Sequence, residues 1–403
     1  GRRGALRGAG SAAATRACLG LVARRLRPNE VTTALAGAFA AGAGLELPWA
    51  GGVLAGASAL VAATEVHAGR ARAGPVLAGA SAGAGLALSS HRLWPLAPHT
   101  PADLRPAGGA RHHLSTPHGE AVCVVVNPGA GSDEGRDWGD DLRRALPDAR
   151  VVELGEGDDL LAALEESAED AAVLGVVGGD GSINAAAGIS HQRSIPLLAL
   201  PGGTLNHFAR DAGLDSADDA LAALSAGEVV GVDLASIDGR CFLNTASFGA
   251  YVELVDARER LEGRIGKWPA MLVALVQVLQ RSRPTRVEID GRQRRVWLVF
   301  VGNCAYLPQG FAPSWRARLD DGRLDVRLVD ASTPGARVRL VLAVLTGRLG
   351  RCRAYEQWST ERIRVKRLDD DRRLARDGET FEGSAEFTVA KCDEPLLVYA
   401  PHR

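Results

Sequence analysis

Three short apolar runs, each closed by a glycine-containing turn, constrain this chain more than any other feature. Val122–Val126 leads into Asn127-Pro128-Gly129-Ala130-Gly131-Ser132. Residues 173–177 lead into Gly178-Gly179-Asp180-Gly181-Ser182, and 195–200 into Pro201-Gly202-Gly203-Thr204-Leu205-Asn206. Apolar runs of this length with no alternation read as strands buried on both faces. A strand-like stretch at 151–154 and helical patterns at 142–146 and 158–170 alternate with them. The alternation predicts a parallel α/β sheet with helices on both faces. Ligands of such sheets bind at the carboxyl ends of the strands, where these turns fall.

Glycine lets backbone amides approach an anion with no Cβ in the way, and a following helix N-terminus adds a favourable dipole. Any one turn alone reads as a tight turn. Together they predict a phosphate cradle built from Asn127, Pro128, Gly129, Gly178, Gly179, Asp180, Gly181, Ser182, Asn184, Gly202, Gly203, Thr204 and Asn206. A P-loop lysine pattern and GxGxxG are both missing, which excludes ordinary P-loop NTPases and Rossmann dehydrogenases at the motif level. The lysines stand at 267, 366 and 391, so none lies beside the turns in sequence. A carboxylate at Asp180 would repel a bare phosphate but suits a Mg²⁺ bridging phosphate oxygens. Asp233 is a second acidic candidate for that cation network. An Asx turn or helix cap at Asp180, and a cap or salt bridge at Asp233, remain the simpler alternatives.

Composition adds exclusions. The 47 basic and 48 acidic residues leave a net charge of −1, and no global field for gripping nucleic acid. The 6 cysteines have no paired spacing, so neither a zinc site nor a disulfide framework is expected. From position 229 strands predominate (229–237, 241–248, 285–290, 295–302, 324–329, 362–366, 386–390), with apolar helices near 267–280 and 335–347. This half is expected as a mainly antiparallel domain. Residues 1–97 are rich in Ala and Gly, with apolar stretches at 31–45, 49–63 and 75–90, each shorter than the ~20 residues that span a bilayer comfortably. Small-residue pairs (Gly52/Gly56, Gly79/Gly83) and a preceding run of arginines predict a small helical membrane segment with a cytoplasmic catalytic part. Residues 98–119 read as a linker.

Gly178-Gly179-Asp180-Gly181-Ser182 with Asn184, Pro201-Gly202-Gly203-Thr204-Leu205-Asn206 with Phe208-Ala209-Arg210, Asn244-Thr245-Ala246-Ser247-Phe248-Gly249 and Asp377-Gly378-Glu379 occur in this order. The set resembles the diacylglycerol kinase catalytic domain, a family that includes sphingosine, ceramide and bacterial lipid kinases. The resemblance covers about 120–403. It implies an α/β nucleotide-binding domain (120–232), a β-sandwich lipid-substrate domain (233–403, its extreme C-terminus returning to the first) and an active site in the cleft between them. ATP, Mg²⁺ and a lipid substrate at a membrane follow from it, and a homodimer is compatible with it. Asp377 would act as general base on the lipid hydroxyl with Glu379 beside it. Asp321, in Asp320-Asp321-Gly322, would match a structural magnesium site. Without the resemblance, Asp-Gly-Glu reads as a hairpin turn. Ala185 and His207 stand where the family often has acidic residues.

The N-terminal part is similar to the end of a type 2 phosphatidic acid phosphatase domain, through Arg27-Pro28 and the stretch from Thr64 to Pro75. Ala71 and Pro75 replace the His–Asp pair that phosphohistidine chemistry needs, so no phosphatase activity is expected. Two other readings stay open: an NAD-kinase-like phosphotransferase, since Gly-Gly-Asp-Gly recurs there, and a membrane module that binds nucleotide without turnover. Residues 267–280 and Phe311 are candidates for an acyl-chain entrance.

Overall fold

The computed structural model describes residues 12, 35–37, 39–40, 48–70, 72–74, 76–77, 101–107, 115–127, 137–155, 157–203, 206–250, 282–307, 315–345 and 348–401. Pro128, Gly129, Thr204, the 267–280 segment, Phe311 and most of residues 1–97, including Arg27, Pro28, Ala71 and Pro75, lie outside that set. The chain divides into two compact units, one formed by 1–97, 253–281 and 341–349, the other by 98–252, 282–340 and 350–403.

In the first unit, α1 (Pro48–His67) carries no charged residue before Glu65 and exposes Val53, Leu60 and Val61. Among the described residues, no helix is long and apolar enough to cross a membrane.

The second unit starts with residues 101–107, inside the stretch expected as a linker. Ala102 and Leu104 are buried in the first core, and Ala107 N–H donates to Val229 O at 2.9 Å. The α/β part follows as β1 (Val122–Val126), α2 (Trp138–Ala145), β2 (Arg150–Glu153), α3 (Leu160–Asp170), β3 (Val173–Gly178), α4 (Asp180–Arg193), β4 (Leu197–Pro201), α5 (His207–Asp211), α6 (Ala217–Ala226) and β5 (Val229–Val232). Every residue of β1 and β3 is buried, as unalternated apolar runs require. At about 1.5–3 kcal/mol per buried aliphatic side chain, these two strands anchor the layer. The sheet order is β2-β1-β3-β4-β19-β5, with β1 to β4 parallel and β19 (Leu396–Tyr399) antiparallel to β5. The chain leaves β1 for β2 on one side and returns to β3 on the other. That reversal opens a crevice beyond the carboxyl ends of β1 and β3, the place where open α/β sheets bind ligands.

The remaining strands are β6 (Ala235–Ile237), β7 (Arg240–Phe242), β8 (Thr245–Gly249), β9 (Thr285–Ile289), β10 (Arg292–Asn303), β11 (Tyr306–Leu307), β12 (Trp315–Arg316), β13 (Leu324–Asp330), β14 (Tyr355–Thr360), β15 (Arg362–Arg367), β16 (Arg373–Arg376), β17 (Glu379–Glu382) and β18 (Glu386–Lys391). Helix α7 (Ala336–Leu345) follows β13. Apart from the small β11–β12 pair, they form one curled antiparallel sheet, β17-β16-β8-β10-β9-β15-β18-β6-β7, with β13 and β14 branching from β10. Strand β15 alternates exposed Arg362, Arg364 and Lys366 with buried Ile363, Val365 and Arg367. Its apolar side meets Phe248 and Phe387, whose rings stack edge to face at 5.5 Å. The expected fold class, α/β plus a mainly-β sandwich, is the one observed.

Two expected strands are each broken. The run 229–237 divides at Asp233: β5 stays in the first sheet and β6 opens the second. The run 241–248 divides at Leu243-Asn244, because the amides there turn away from the ladder toward Asp377.

Candidate active site

The first two turns meet at the crevice beside β1 and β3. Asn127 N–H donates to Val177 O at 3.0 Å, and its Nδ2 donates to Ser182 Oγ at 3.0 Å. Gly179 is the N-cap of α4 and offers no side chain, so the first-turn amides lack a side-chain cap. The third turn packs against the second. A Cβ on Gly203 would lie 2.4 Å from Gly179 Cα, so only glycine permits this approach. Asn206, at φ 46°, closes the third turn on itself: its Oδ1 accepts from Gly203 N and its Nδ2 donates to Gly203 O. Asp180 is the first residue of α4, and its Oδ1 accepts from Phe208 N at 3.3 Å, which ties the second turn to α5. Asn184 is buried, and its Oδ1 has no partner among the described residues. The uncapped first-turn amides of α4 are the groups here that suit an anion at the crevice.

Asp377 and Gly378 form the two-residue turn between β16 and β17, with φ 43° and 91°, the positive values that a type I′ hairpin turn demands. The hairpin reading of Asp-Gly is therefore correct as structure, and the turn does more than reverse the chain. Leu243 N–H donates to Asp377 Oδ2 at 2.8 Å, while Asn244 and Thr245 N–H donate to Oδ1 at 2.9 and 2.8 Å. A carboxylate offers about four acceptor positions, so one remains, on Oδ2. Burial pushes the Asp377 pKa up to about 6, against the three amide donors and the Arg316 charge, which pull it down. Glu379 lies on the same hairpin, and its Oε1 stands 3.6 Å from the position a Gly181 Cβ would take. The hairpin of the second sheet thus reaches the second glycine turn of the first.

The three aspartates expected to bind Mg²⁺ stand in two places. Asp180 keeps its Oδ2 free of protein donors among the described residues, which suits a cation carried in by phosphates. Asp233 and Asp321 gather elsewhere with Cys304, their ligand atoms lying within 4.8 Å of one another. Lys391 Nζ stands 2.8 Å from Asp233 Oδ2 and also donates to Asn303 Oδ1, so an ammonium already offsets the charge of this cluster. Asp233 Oδ2 further accepts from Gly322 N and Cys304 Sγ, and both Asp321 oxygens accept backbone amides. Burial holds the Cys304 thiol protonated, its pKa pushed up to about 12. The structure thus brings the expected ligands Asp233 and Asp321 together, with the Lys391 ammonium beside Asp233. Lysine and aspartate lie 158 positions apart, and no spacing rule links them.

The two departures are accounted for locally. His207 Nδ1 lies 2.9 Å from Arg210 Nη2 at the start of α5, and Ala185 packs against the first core. Sequence reasoning also missed Arg316, Asp211 and Asn303, which lie around the Asp377 clamp.

Fold and site define a protein of two joined sheets in which an acidic hairpin of the second faces glycine turns of the first. Residues 121–237 match the family model of the diacylglycerol kinase catalytic domain. Residues 247–392 match that of the YegS C-terminal NAD kinase beta sandwich-like domain. These two regions are similar to the diacylglycerol kinase catalytic domain and to the C-terminal domain of YegS-like lipid kinases. The chain is 29% identical over 202 residues to a diacylglycerol kinase of Bacillus subtilis strain 168, covering 47% of this chain and 66% of that one. It is 33% identical over 162 residues to a probable lipid kinase YegS-like of Citrobacter koseri, covering 38% of this chain and 54% of that one. It thus spans less than two thirds of the length of either relative. The crystal structure of a diacylglycerol kinase from Bacillus anthracis str. Sterne shares the fold, with TM-score 0.50 and 22% identity over 70% of this chain and 96% of that one.

Proposed function

We propose that this chain transfers the γ-phosphoryl group of ATP to the hydroxyl of diacylglycerol or a lipid alcohol of the same class. The observation that carries the reading is the reach of the Asp377–Glu379 hairpin to the glycine turn at 178–181. The clamped Asp377 carboxylate keeps one acceptor position, and a substrate hydroxyl can donate its proton there. A carboxyl whose pKa has risen to about 6 is a stronger base than an ordinary aspartate and is still ionised at neutral pH. As that proton leaves, the alcohol oxygen bonds to the γ-phosphorus, the bond from γ-phosphorus to the bridging oxygen breaks, and ADP departs. The amides of the glycine turns and the first turn of α4 are placed to receive negative charge on phosphate oxygens. Mg²⁺, carried by the nucleotide and held by Asp180, would neutralise part of that charge.

A lipid acceptor requires access to a membrane. The apolar exposed face of α1 supports contact of the N-terminal unit with a lipid surface, with the catalytic part in the cytoplasm. The test is transfer of label from γ-labelled ATP, with Mg²⁺, to a panel of lipid alcohols and NAD. NAD belongs in the panel because the C-terminal family is described by its likeness to the NAD kinase sandwich. Label recovered in a lipid phosphate supports the proposal. Label in NAD alone favours the second reading, and nucleotide binding without transfer removes both.

A further inference from the structure

We infer that Arg316 is a positioning residue: its buried guanidinium holds the peptide units that clamp Asp377 and ties them to the helix following the third glycine turn. The inference rests on the reading of Asp377 as the base. Arg316, on β12, has a side chain only 1% exposed. Its Nε donates to Asp211 Oδ2 at 2.8 Å, at the end of α5. Its Nη1 donates to Leu243 O at 2.8 Å and to Asn303 O at 3.2 Å, and its Nη2 donates to Asn244 Oδ1 at 2.8 Å. Four of the five guanidinium donors are thereby used, in a fork that lysine cannot reproduce.

The peptide joining Leu243 to Asn244 links the two charged groups. Its carbonyl accepts from Arg316, and its N–H donates to Asp377 Oδ1. One peptide plane therefore stands between the guanidinium and the carboxylate. Polarising its carbonyl strengthens its N–H as a donor, so the charge of Arg316 is relayed to Asp377. The next peptide repeats the pattern more weakly: Tyr306 hydroxyl donates to Asn244 O at 3.3 Å, and Thr245 N–H donates to Asp377 Oδ1. Through Asp211 the same guanidinium grips α5, whose Phe208 amide is bound to Asp180. Arg316 thus joins the nucleotide turns to the acceptor carboxylate without touching either substrate.

The test is the pH dependence of kcat for lipid phosphorylation in wild type and Arg316→Met. The other charged or titratable groups around Asp377 are Arg376 and Glu379 on its hairpin, Tyr306 on β11 and Asp211 at the end of α5; the substitution leaves the first three as they are and removes the ion-pair partner of Asp211. Expected are a kcat lower by about 10- to 100-fold, a KM for ATP within about threefold of wild type, and an acidic limb moved to higher pH by about one unit. An unmoved limb would overturn the inference, because lost packing alone lowers activity without retuning the carboxylate. If Arg316→Met does not fold, Arg316→Lys and Tyr306→Phe must each move the limb the same way by a smaller amount. Stationary limbs in both would overturn it equally. Carboxyl ¹³C NMR, with the Asp377 signal assigned by its loss in Asp377→Asn, reads the same shift with no substrate present. A wild type that labels no lipid would therefore count against the functional reading and leave this inference to be decided by the NMR titration.

Discussion

Glu379 Oε1 lies 3.6 Å from where Gly181 would carry a Cβ, although 198 positions separate the two residues. A carboxylate from the antiparallel sheet therefore stands at the first turn of the helix that leaves the parallel sheet. Asp377, two residues earlier, is held by the amides of Leu243, Asn244 and Thr245. The acidic hairpin is thus held at Asp377 and lies beside the second glycine turn at Glu379.

Activity should follow the ionisation of Asp377. Its carboxyl is raised to about 6, and only the ionised form accepts a proton, so kcat should climb as pH rises through about 6 and level off above. The same shift has a stability consequence of opposite sense. A folded-state pKa above the unfolded value of 3.8 favours folding at low pH, and that contribution is lost as pH rises through 6. A kcat profile measured from pH 4.5 to 8.5 checks the first part; a limb well below pH 5 would assign it to another group.

The two glycine turns make contrasting demands on a methyl group. A Cβ on Gly203 would meet Gly179 Cα at 2.4 Å and Asn206 Oδ1 at 2.8 Å, so backbone must move. Gly203→Ala should lose about 1–3 kcal/mol of stability and bind ATP at least about tenfold more weakly. A Cβ on Gly181 meets only Glu379 Oε1 at an ordinary distance. Gly181→Ala should melt like the wild type and show its loss in the KM for ATP. Calorimetry and nucleotide titration of both variants check the pair.

The Lys391 ammonium should make the Asp233 cluster independent of metal. Both side chains are largely buried, at 9% and 19% exposure. Lys391→Met strands the Asp233 carboxylate and should cost roughly 3 kcal/mol. The wild-type Tm should not change on chelation, whereas millimolar Mg²⁺ should recover part of the loss in the variant. A wild-type Tm that falls with EDTA would show a bound ion here after all.

The elements that sequence made legible are those whose pattern is local. Strands β1 and β3 announce themselves as unalternated valine-rich runs between glycines, and β15 as a two-residue alternation. The change of sheet at Asp233 has no local pattern, because 229–237 reads as one strand and only pairing with β19, more than 160 residues later, separates β5 from β6; the family resemblance alone put a domain boundary at 232/233. The break at Leu243-Asn244 depends on a carboxylate 133 positions away from Asn244. The glycine turns of the site could be found from their spacing, and Asp377 and Glu379 from a family resemblance. Arg316 and Lys391 carried no local signal: each is one basic residue among many, and only the fold gives it a partner.

The most direct test of the account is turnover by Asp377→Asn beside wild type, measured as label passing from γ-labelled ATP to diacylglycerol, with nucleotide binding followed in parallel. Asparagine keeps the size of the side chain but cannot accept the proton, and its amide must face one of the clamp's donors. The account predicts nucleotide affinity within about threefold of wild type and a kcat lower by about 10²- to 10⁴-fold. Turnover by Asp377→Asn equal to that of the wild type would contradict it.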